Sequence, residues 1–302
     1  MQQVSRMRHQ LEKDYSHLSV RFDSERGVLW TLLDPKNVPC FNLELLGQLR
    51  THHDDIEKHG DRALGISQSH EVRYSVLASL TPGIFNLGGQ LALFRELIRS
   101  GNREALLNYA TKCIDVIYQR VHHFGLPLVT ISLIQGDALG GGFEAALTSD
   151  IIVAERHSQM GFPEILFNLF PGMGAYSLIA RKVSPKFAER MILGGKMFSA
   201  EELHEAGVID ILAENGKGVE AVNEYIKKQE RRSNGFMAVQ KARHRFNPVT
   251  QQELMDITTV WVDAALKLNE KDLKVMDRFV RSQEKLITQL QPKNQQLVVD
   301  AA

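Results

Sequence analysis

Residues 134–176 read IQGDALGGGFEAALTSDIIVAERHSQMGFPEILFNLFPGMGAY, and this stretch decides the fold. It follows residues 126–134, an apolar, β-branched run that predicts a buried strand. Three consecutive glycines, at 140–142, stand where this strand is followed by a short predicted helix, and residues 150–154 predict the next strand. Because glycine has no Cβ, the backbone here can approach a ligand closely. The stretch therefore predicts a ligand site at a strand-to-helix junction of an α/β protein.

Two glutamates accompany this junction. Glu144 lies in the first turn of the short helix, and Glu164 follows Pro163, a residue suited to begin a helix. The unpaired backbone N–H groups at the glycines could stabilise a carbonyl oxygen that becomes negative during a reaction. Two carboxyl groups beside that oxygen could move protons at the α and β carbons of an acyl group. Alternatively, each glutamate only complements the positive end of a helix, and the spacing alone does not decide between these interpretations.

Outside this stretch, strand and helix patterns alternate and then give way to helices alone. Residues 18–22 and 28–33 predict a β-hairpin around the turn-forming segment DSERG. Further strands are predicted at 72–80 and 208–211, and helices at 43–58, 90–99, 104–123 and 143–149, with a capping box at 199–202 that begins another helix. After residue 216 the patterns are helical, with an interruption at Asn247-Pro248. We therefore predict a polar lead-in (1–17), an α/β core (18–215) and a C-terminal helical region (216–302).

The composition excludes several classes of protein. The 302 residues include 36 Lys and Arg and 36 Asp and Glu, and this balance argues against binding to nucleic acid or to a membrane surface. The polar start predicts no secretory signal, and no stretch reaches the roughly 18 apolar residues of a membrane span. Only Cys40 and Cys113 are present, which leaves no disulfide framework and no cysteine zinc site. We therefore predict a cytoplasmic protein.

Three other patterns are judged not to be functional sites. Gly140, Gly142 and Ala145 match a dinucleotide fingerprint, but Glu144 lies where a pyrophosphate would have to sit. The segment HHDD at 52–55 is expected to be the solvated face of a helix, because consecutive helical side chains point in different directions. The pair at 122–123 is expected to end a helix, where a cation suits the dipole. We predict no metal site.

Four ordered motifs make the chain resemble the crotonase (enoyl-CoA hydratase/isomerase) superfamily. They are FNLGGQL at 85–91, ALGGGFEAAL with SDII at 138–152, FPE with FPGMG at 162–174, and GKMFSAEELHEAGVID at 195–210. The resemblance implies a crotonase fold, in which repeated β-β-α units form a spiral core that C-terminal helices follow. Within the superfamily, FNLGG and MGFPEILFNLFPGMGAYSLIARK are most similar to the diffusible-signal-factor synthases, which make cis-2-unsaturated fatty-acid signals for bacterial quorum sensing.

This resemblance implies a reaction and a set of site residues. The reaction is dehydration of a 3-hydroxyacyl-[acyl carrier protein], followed by thioester hydrolysis that releases the free acid, without a metal or redox cofactor. Leu87 and Gly141 are expected to donate the oxyanion-hole N–H groups, and Glu144 and Glu164 to form the acid/base pair in an order left open. The expected substrate-binding residues are Gly88, Gly140, Phe143, Met160, Phe162, Leu169 and Met173, with Ile165, Leu166 and Tyr176 as further candidates for the acyl-chain lining. Gln90 replaces the aspartate that ordinary hydratases usually carry.

The same resemblance implies partners. A carrier-protein substrate should meet a basic patch at the pocket mouth, because carrier proteins are usually acidic. The best candidate is the run from Lys227 to Arg245, with seven cations and one acid, and its alternative is a solvated helix face. Arg181, Lys182 and Lys186 form a smaller candidate. The family further implies a homotrimer or hexamer and a sensor-kinase receiver domain as a regulator. The rival hypotheses are an enoyl-CoA hydratase or isomerase that acts on CoA thioesters and an inactive scaffold of the same fold.

Overall fold

Two β-sheets form the core of the computed structural model, which describes residues 11–60 and 71–289. The strands are β1 (Leu18–Asp23), β2 (Val28–Leu33), β3 (Tyr74–Ser79), β4 (Gly83–Asn86), β5 (Val129–Ile134), β6 (Gly136–Leu139), β7 (Ile151–Glu155), β8 (Gln159–Gly161), β9 (Met197–Ser199) and β10 (Ile211–Ala213). The first sheet has the order β1-β2-β3-β5-β7-β10, and the second has the order β4-β6-β8-β9. Residues 1–10 of the predicted lead-in lie outside the described residues.

Helices surround the two sheets and make up the C-terminal part of the chain. The α-helices are α1 (Leu43–His59), α2 (Leu91–Arg99), α3 (Arg103–Val121), α4 (Gly141–Leu147), α5 (Ala175–Lys182), α6 (Pro185–Gly194), α7 (Ala200–Glu205), α8 (Gly218–Glu230), α9 (Ser233–Arg245), α10 (Gln251–Ala265) and α11 (Glu270–Gln289). Two 3-10 turns cover His123–Gly125 and Pro163–Phe167. No helix in the described part of the chain is both long and apolar enough to cross a membrane.

The chain moves repeatedly from the first sheet to the second and then into a helix. β3 leads to β4, β5 leads to β6, and β7 leads to β8, with parallel pairing between successive strands in each sheet. A helical segment follows each of these strand pairs, beginning with α2, α4 and the turn at Pro163–Phe167. The hairpin β1-β2 precedes them and pairs antiparallel, from Leu18 opposite Leu33 to Asp23 opposite Val28. The predicted α/β fold of repeated β-β-α units with C-terminal helices is confirmed.

The two faces of the six-stranded sheet bury different clusters. On one face Trp30, Val76 and Ile131 pack in one cluster with Val222 and Ile226 of α8. The opposite face, which includes Leu33, Leu77 and Ile152, belongs to the larger cluster around the second sheet and most of the helices. This separation follows from the two-residue repeat of a strand, in which neighbouring side chains point to opposite faces. Elements that pack on α8's side of the sheet are thereby kept away from the larger cluster.

The predicted strand at 208–211 lies three residues later, at β10. The N–H groups of Val208 and Ile209 both donate to the carbonyl of Leu203, at 2.9 and 3.2 Å, and so close the end of α7. β10 pairs with β7 only from Ile211 onward. The capping box that begins α7 is present, with Ser199 and Glu202 bonded to each other's backbone N–H groups. Val208 and Ile209 therefore close the end of a helix, although their apolar side chains alone predict a strand.

The prediction that residues 52–55 form a solvated face is wrong. His52 is fully buried and its Nε2 lies 2.8 Å from Thr31 Oγ1, and the His53 ring packs edge-on against Phe124 at 4.8 Å. Burial lowers the pKa of His52 to about 4, so that a neutral imidazole occupies the core at pH 7. Burying a neutral histidine does not bury a charge. The pattern of polar residues in the sequence does not indicate which histidines are neutral.

Arg120 of α3 connects three parts of the first sheet from the inside. It is 4% exposed. Its guanidinium donates to the Ser75 Oγ and carbonyl at 3.3 Å, to the Ile131 carbonyl at 2.7 Å and to Ser149 Oγ at 3.0 Å. These acceptors belong to β3, to β5 and to the residues before β7. The charged group therefore holds together strands that no local sequence contact joins.

We predict that Arg120→Leu lowers the free energy of unfolding by about 3 kcal/mol, because it leaves buried acceptors without a donor. The matched control is Arg103→Leu on the same helix, whose exposed guanidinium bonds to Asp263 at 3.0 Å. That exposed pair should contribute less than about 1 kcal/mol. Urea denaturation of both variants measures the difference. Equal losses would contradict the assigned role of Arg120.

Candidate active site

The glycine junction lies between β6 and α4 and leaves no space for side chains. Gly140 has φ +50°, and a Cβ on it would lie 2.1 Å from Glu164 Oε1. A Cβ on Gly142 would lie 2.1 Å from the carbonyl oxygen of Asn86, at the end of β4. The backbone of α4 therefore lies directly against the end of β4 on one side and the Glu164 carboxyl group on the other.

Glu144 points from the first turn of α4 into the protein interior. It is 1% exposed, and its Oε1 accepts the backbone N–H groups of Met173 and Ala175, at 2.7 and 2.9 Å. Burial raises the pKa of Glu144 to about 7, and these two hydrogen bonds act in the opposite direction by favouring the carboxylate. The side chain is thus held in one orientation and can change its charge near neutral pH.

Glu164 reaches the same place from the turn that begins at Pro163. Part of the residue is accessible, but its Oε2 atom is buried and has no hydrogen-bond partner among the described residues. Burial, and then the negative charge of Glu144, raise the pKa of Glu164 to about 8. Two carboxyl groups in one apolar site favour the state in which one is protonated and the other ionised. The pair can therefore act as an acid and a base at once.

Both glutamates line one cavity, which elements distant in the sequence enclose. Of the predicted substrate-binding and oxyanion residues, Leu87, Gly140, Gly141, Leu169 and Met173 line this cavity. The remaining wall is largely apolar and contains Leu91, Phe94, Tyr109, Trp261, Phe279 and Leu286. Ser282 and Gln283 of α11 also line it, and Gln283 Nε2 donates to the carbonyl of Leu87 at 3.1 Å. Helices α10 and α11 therefore close the cavity.

Several predicted lining residues are corrected. Phe143, Met160 and Phe162 are fully buried in the core and do not line the cavity, and the rings of Phe143 and Phe162 lie 5.4 Å apart. All three belong to the larger hydrophobic cluster, so their side chains pack in the core and not in the cavity wall. Four other candidates also lie outside the cavity lining: Gly88, Ile165, Leu166 and Tyr176. Gly88 instead packs against Gly140 and Gly141.

The expected oxyanion role of Leu87 is also corrected. Its backbone N–H donates to the carbonyl of Pro39 at 2.8 Å, and the N–H of Gly88 donates to Asn86 Oδ1 at 2.8 Å. The cavity-lining N–H groups of Gly89 and Gly141 have no acceptor within the part of the chain that the structure describes. The segment around Gly89 pairs with Phe41, whose N–H donates to the carbonyl of Gly88. The N–H of Gly89 itself takes no part in this hydrogen bond. Gln90 occupies the position at which ordinary hydratases usually carry aspartate. The sequence signal that could have identified Gly89 was its place directly before Gln90.

The site residues from the C-terminal helices could not be found from the sequence. Trp261 of α10 lies over the cavity with its ring 5.2 Å from that of Phe94, and Phe279 of α11 is 5.6 Å from Phe167. Their helical spacing predicts only that they are buried. No pattern in residues 251–289 indicates which part of the core these helices cover.

The basic run from Lys227 to Arg245 does not flank the cavity. None of its seven cations lines it. Helix α8 packs on the opposite face of the six-stranded sheet, through Val222 and Ile226. The smaller basic candidate is engaged as well, since Arg181 pairs with Glu253 at 2.7 Å and the Lys182 side chain is buried near Asp210. Neither candidate contributes a cation to the lining of this cavity within one chain, and a basic patch at its mouth stays a prediction.

Comparison with known proteins gives a family match over most of the chain. Residues 61–284 match the family model described as enoyl-CoA hydratase/isomerase. Probable enoyl-CoA hydratase 2, mitochondrial, of Arabidopsis thaliana is 25% identical over 221 residues, which are 73% of this chain and 67% of the relative. The 2,3-dehydroadipyl-CoA hydratase of Escherichia coli is 34% identical over 93 residues, 31% of this chain and 36% of the relative. The chain thus spans between about a third and two thirds of the curated relatives it matches.

Solved structures share the fold. Enoyl-CoA hydratase from Bacillus halodurans superposes with a TM-score of 0.70 at 22% identity, covering 87% of this chain and 100% of that chain. Human mitochondrial delta3-delta2-enoyl-CoA isomerase superposes with a TM-score of 0.69 at 16% identity, covering 90% and 99%. At such identities, the likeness shows the fold alone.

We predict that the stability of the protein falls with rising pH because of Glu164. Its folded-state pKa lies above that of an unfolded glutamate, so protonation stabilises the fold at low pH, and this contribution is lost as the pH rises through about 8. Between about pH 5 and pH 9, Glu164→Gln should gain on the order of 2 kcal/mol relative to the unsubstituted protein. Chemical denaturation at both pH values measures the gain. Exposed Glu205→Gln is the control, and a gain of the same size there would refute the assignment.

Proposed function

Because the chain belongs to the enoyl-CoA hydratase/isomerase family, we propose that it adds and removes water across the C2–C3 bond of an acyl thioester. The observation that carries this proposal is that the carboxyl groups of Glu144 and Glu164 line one cavity with Gly89 and Gly141, whose N–H groups have no acceptor among the described residues. Two proton-transfer groups beside an anion-stabilising site meet the needs of an enolate intermediate. CoA thioesters are the proposed substrates, because the similar proteins from Arabidopsis thaliana and Escherichia coli are named as CoA hydratases.

The thioester carbonyl would accept hydrogen bonds from Gly89 and Gly141. Both N–H groups belong to segments whose backbones are held by other bonds, Gly88 through its carbonyl to Phe41 and Gly140 through its N–H to Gly161. The donors are therefore oriented before substrate binds, so that stabilising the enolate oxygen requires little rearrangement. The apolar wall around them excludes water and strengthens these hydrogen bonds.

The two glutamates would divide the proton transfers. The hydrogen bonds from Met173 and Ala175 favour the ionised form of Glu144, and the unpartnered Oε2 of Glu164 favours the protonated form. In hydration, Glu144 takes a proton from water as the water oxygen bonds to C3, and Glu164 then gives its proton to C2 of the enolate. In dehydration the order is reversed: Glu164 removes the C2 proton and Glu144 protonates the departing hydroxyl group. After one hydration, Glu144 is protonated and Glu164 is ionised. Proton exchange with solvent then restores the starting state, in which Glu144 is ionised and Glu164 protonated.

A second candidate function is synthesis of a quorum-sensing signal. In this hypothesis, the substrate is a 3-hydroxyacyl-[acyl carrier protein], and dehydration is followed by thioester hydrolysis that releases a cis-2-unsaturated fatty acid. Its support is the resemblance of residues 85–89 and 160–182 to diffusible-signal-factor synthases and the presence of Gln90 in place of aspartate. A homotrimer or hexamer and a regulatory receiver domain belong to the same hypothesis. Hydrolysis would use the same oxyanion donors with a glutamate-activated water at the carbonyl carbon.

We predict that purified protein converts a medium-chain 2-enoyl-CoA and the matching 3-hydroxyacyl-CoA into each other. Glu144→Gln and Glu164→Gln should each lower the rate at least about 100-fold, because each removes one proton-transfer group. Mass spectrometry of both esters, and of the 3-hydroxyacyl-[acyl carrier protein], identifies the products. Surface variant Glu205→Gln is the control.

The same assay separates the two candidates. Reversible hydration of CoA esters without free acid supports the hydratase. Release of a cis-2-unsaturated free acid from the carrier protein alone, lost in both glutamine variants, supports the signal synthase. Turnover of neither substrate class would overturn both proposals and favour the inactive scaffold.

We predict that removing one oxyanion donor lowers kcat, in addition to any effect of the added side chain. Gly141 is the first residue of α4, where proline is tolerated, so Gly141→Pro removes its N–H and retains the helix. The matched control is Gly141→Ala, which places a similar Cβ against the flexible end of Met173 but keeps the N–H. The kcat of the proline variant should be about 100-fold below that of the alanine variant. Equal kcat values in the two variants would exclude Gly141 as a donor.

A further inference from the structure

A second cluster of ionisable side chains lies beyond the C-terminal end of α4, in a cavity separate from the catalytic one. It consists of His123, Asp150 and His244. His123 belongs to the turn after α3, Asp150 precedes β7, and His244 lies in the last turn of α9. The sequence predicted that residues 122–123 only end a helix. That holds for His122, which caps α3, whereas His123 adopts φ +57° and turns inward to Asp150.

The ligand atoms of the three side chains lie within 4.8 Å of one another. Asp150 Oδ1 lies 3.2 Å from His123 Nε2 and 3.0 Å from His244 Nε2. The two imidazole rings stack with centroids 3.7 Å apart. Ligand atoms on a tetrahedral zinc ion are separated by roughly 3.3 Å, since each bond is about 2.0–2.1 Å long. The two nitrogen–oxygen distances are close to this separation, and all three ligand atoms lie within 4.8 Å of one another.

We propose that His123, Asp150 and His244 bind a divalent transition-metal ion, zinc in the first place, that ties α9 to the core. Two imidazole nitrogens and one carboxylate oxygen are a ligand set that zinc accepts, and the open cavity beside them leaves room for water as the fourth ligand. The site lies outside the catalytic cavity, so the ion has a structural role.

The Asp150 carboxylate is prepared for this role by the residues behind it. Its Oδ2 accepts the backbone N–H of Thr130 at 2.9 Å and the Thr130 hydroxyl at 3.1 Å. These bonds hold the carboxylate in place, with Oδ1 toward both histidines and Oδ2 also 3.0 Å from His123 Nε2. Such outer contacts orient ligands and increase metal affinity.

The packing of α9 explains why such a tie would matter. Of its 13 residues, Gln240 is the buried one. Its last turn meets the core through polar groups: Arg243 donates to the carbonyl of Asp150 at 3.0 Å, and His244 reaches the Asp150 carboxylate. Phe236 and Met237 give the first half of α9 partly buried apolar contacts, whereas its last turn depends on these polar anchors for its position. An ion shared between α9 and the core would therefore stabilise this attachment by mass action.

Charged side chains surround the cluster. Three cations lie near Asp150: Arg243, the buried Arg120, and the buried Lys182, whose Nζ lies 3.7 Å from Asp210 Oδ2. The nearby Arg181 is paired with Glu253. Asp150 and Asp210 offset two of these three cations, and the Arg120 guanidinium is bonded to Ser75, Ile131 and Ser149.

The test is zinc binding to metal-free protein produced without a histidine tag. Isothermal titration calorimetry with zinc chloride should show one site per chain, and cobalt(II) should give the visible absorption of a tetrahedral complex. The test variant is His244→Phe, which retains the stacked ring and removes one ligand. Its Kd for zinc should be at least about tenfold higher. The control is His122→Phe, which alters a residue that lines the same cavity but is not in the cluster, and it should bind zinc normally.

A second readout follows the position of α9. Zinc should slow tryptic cleavage at Lys241 and Arg245 several-fold in the unsubstituted protein and in His122→Phe, but not in His244→Phe. Absence of zinc binding to the unsubstituted protein would overturn the proposal and leave a hydrogen-bonded His–Asp–His cluster. Binding by His244→Phe with unchanged affinity would overturn it as well. Neither readout depends on catalysis, so the outcome is independent of the proposed reaction.

Discussion

The steric constraint at residues 140–142 is the feature on which the site depends. The end of β4 and the Glu164 carboxyl group approach the backbone so closely that a Cβ at Gly140 or Gly142 would overlap them. This close approach places α4 with its first turn against the cavity and directs Glu144 into it. It also requires the second sheet to stop at this point, so that β4, β6 and β8 end around one space. A ligand carbonyl can meet backbone N–H groups only because no side chain stands between them.

The same arrangement is costly for stability. Two carboxyl groups share one largely apolar cavity: burial raises the pKa of Glu144 to about 7, and burial together with the charge of Glu144 raises the pKa of Glu164 to about 8. Hydrogen bonds from Met173 and Ala175 offset part of this cost for Glu144, and Oε2 of Glu164 receives no such compensation. The rest of the core supplies the difference through continuous apolar packing and buried polar links such as Arg120. Unsatisfied polar atoms inside a well-packed core are a common mark of a site that acts on a ligand.

The last two C-terminal helices, α10 and α11, close the cavity that the core forms. α10 covers Gly172 so closely that a Cβ there would lie 2.3 Å from the Trp261 ring. α11 is held to α2 by ion pairs of Arg95 with Asp277 and of Arg99 with Glu270, and it contributes Phe279 and Gln283 to the cavity. α8 and α9 instead lie toward the other face of the first sheet, which is why the basic run is remote from the catalytic cavity. One helical region thus serves two separate surfaces of the core.

The sequence by itself determined most strands of the first sheet, most of the helices, the capping box before α7, the glycine junction and the two glutamates, but none of the four short strands of the second sheet. These features depend on neighbours along the chain: alternation, helical spacing, capping and glycine flexibility are local properties. Only the tertiary structure decided that Gly89, and not Leu87, has a free N–H, because Pro39 accepts the other hydrogen bond. It likewise decided that His52 is buried, that Phe143, Met160 and Phe162 pack in the core, and that His123 meets His244. Each of these outcomes depends on which group, distant in the sequence, packs opposite the residue, and a local pattern carries no information about that partner.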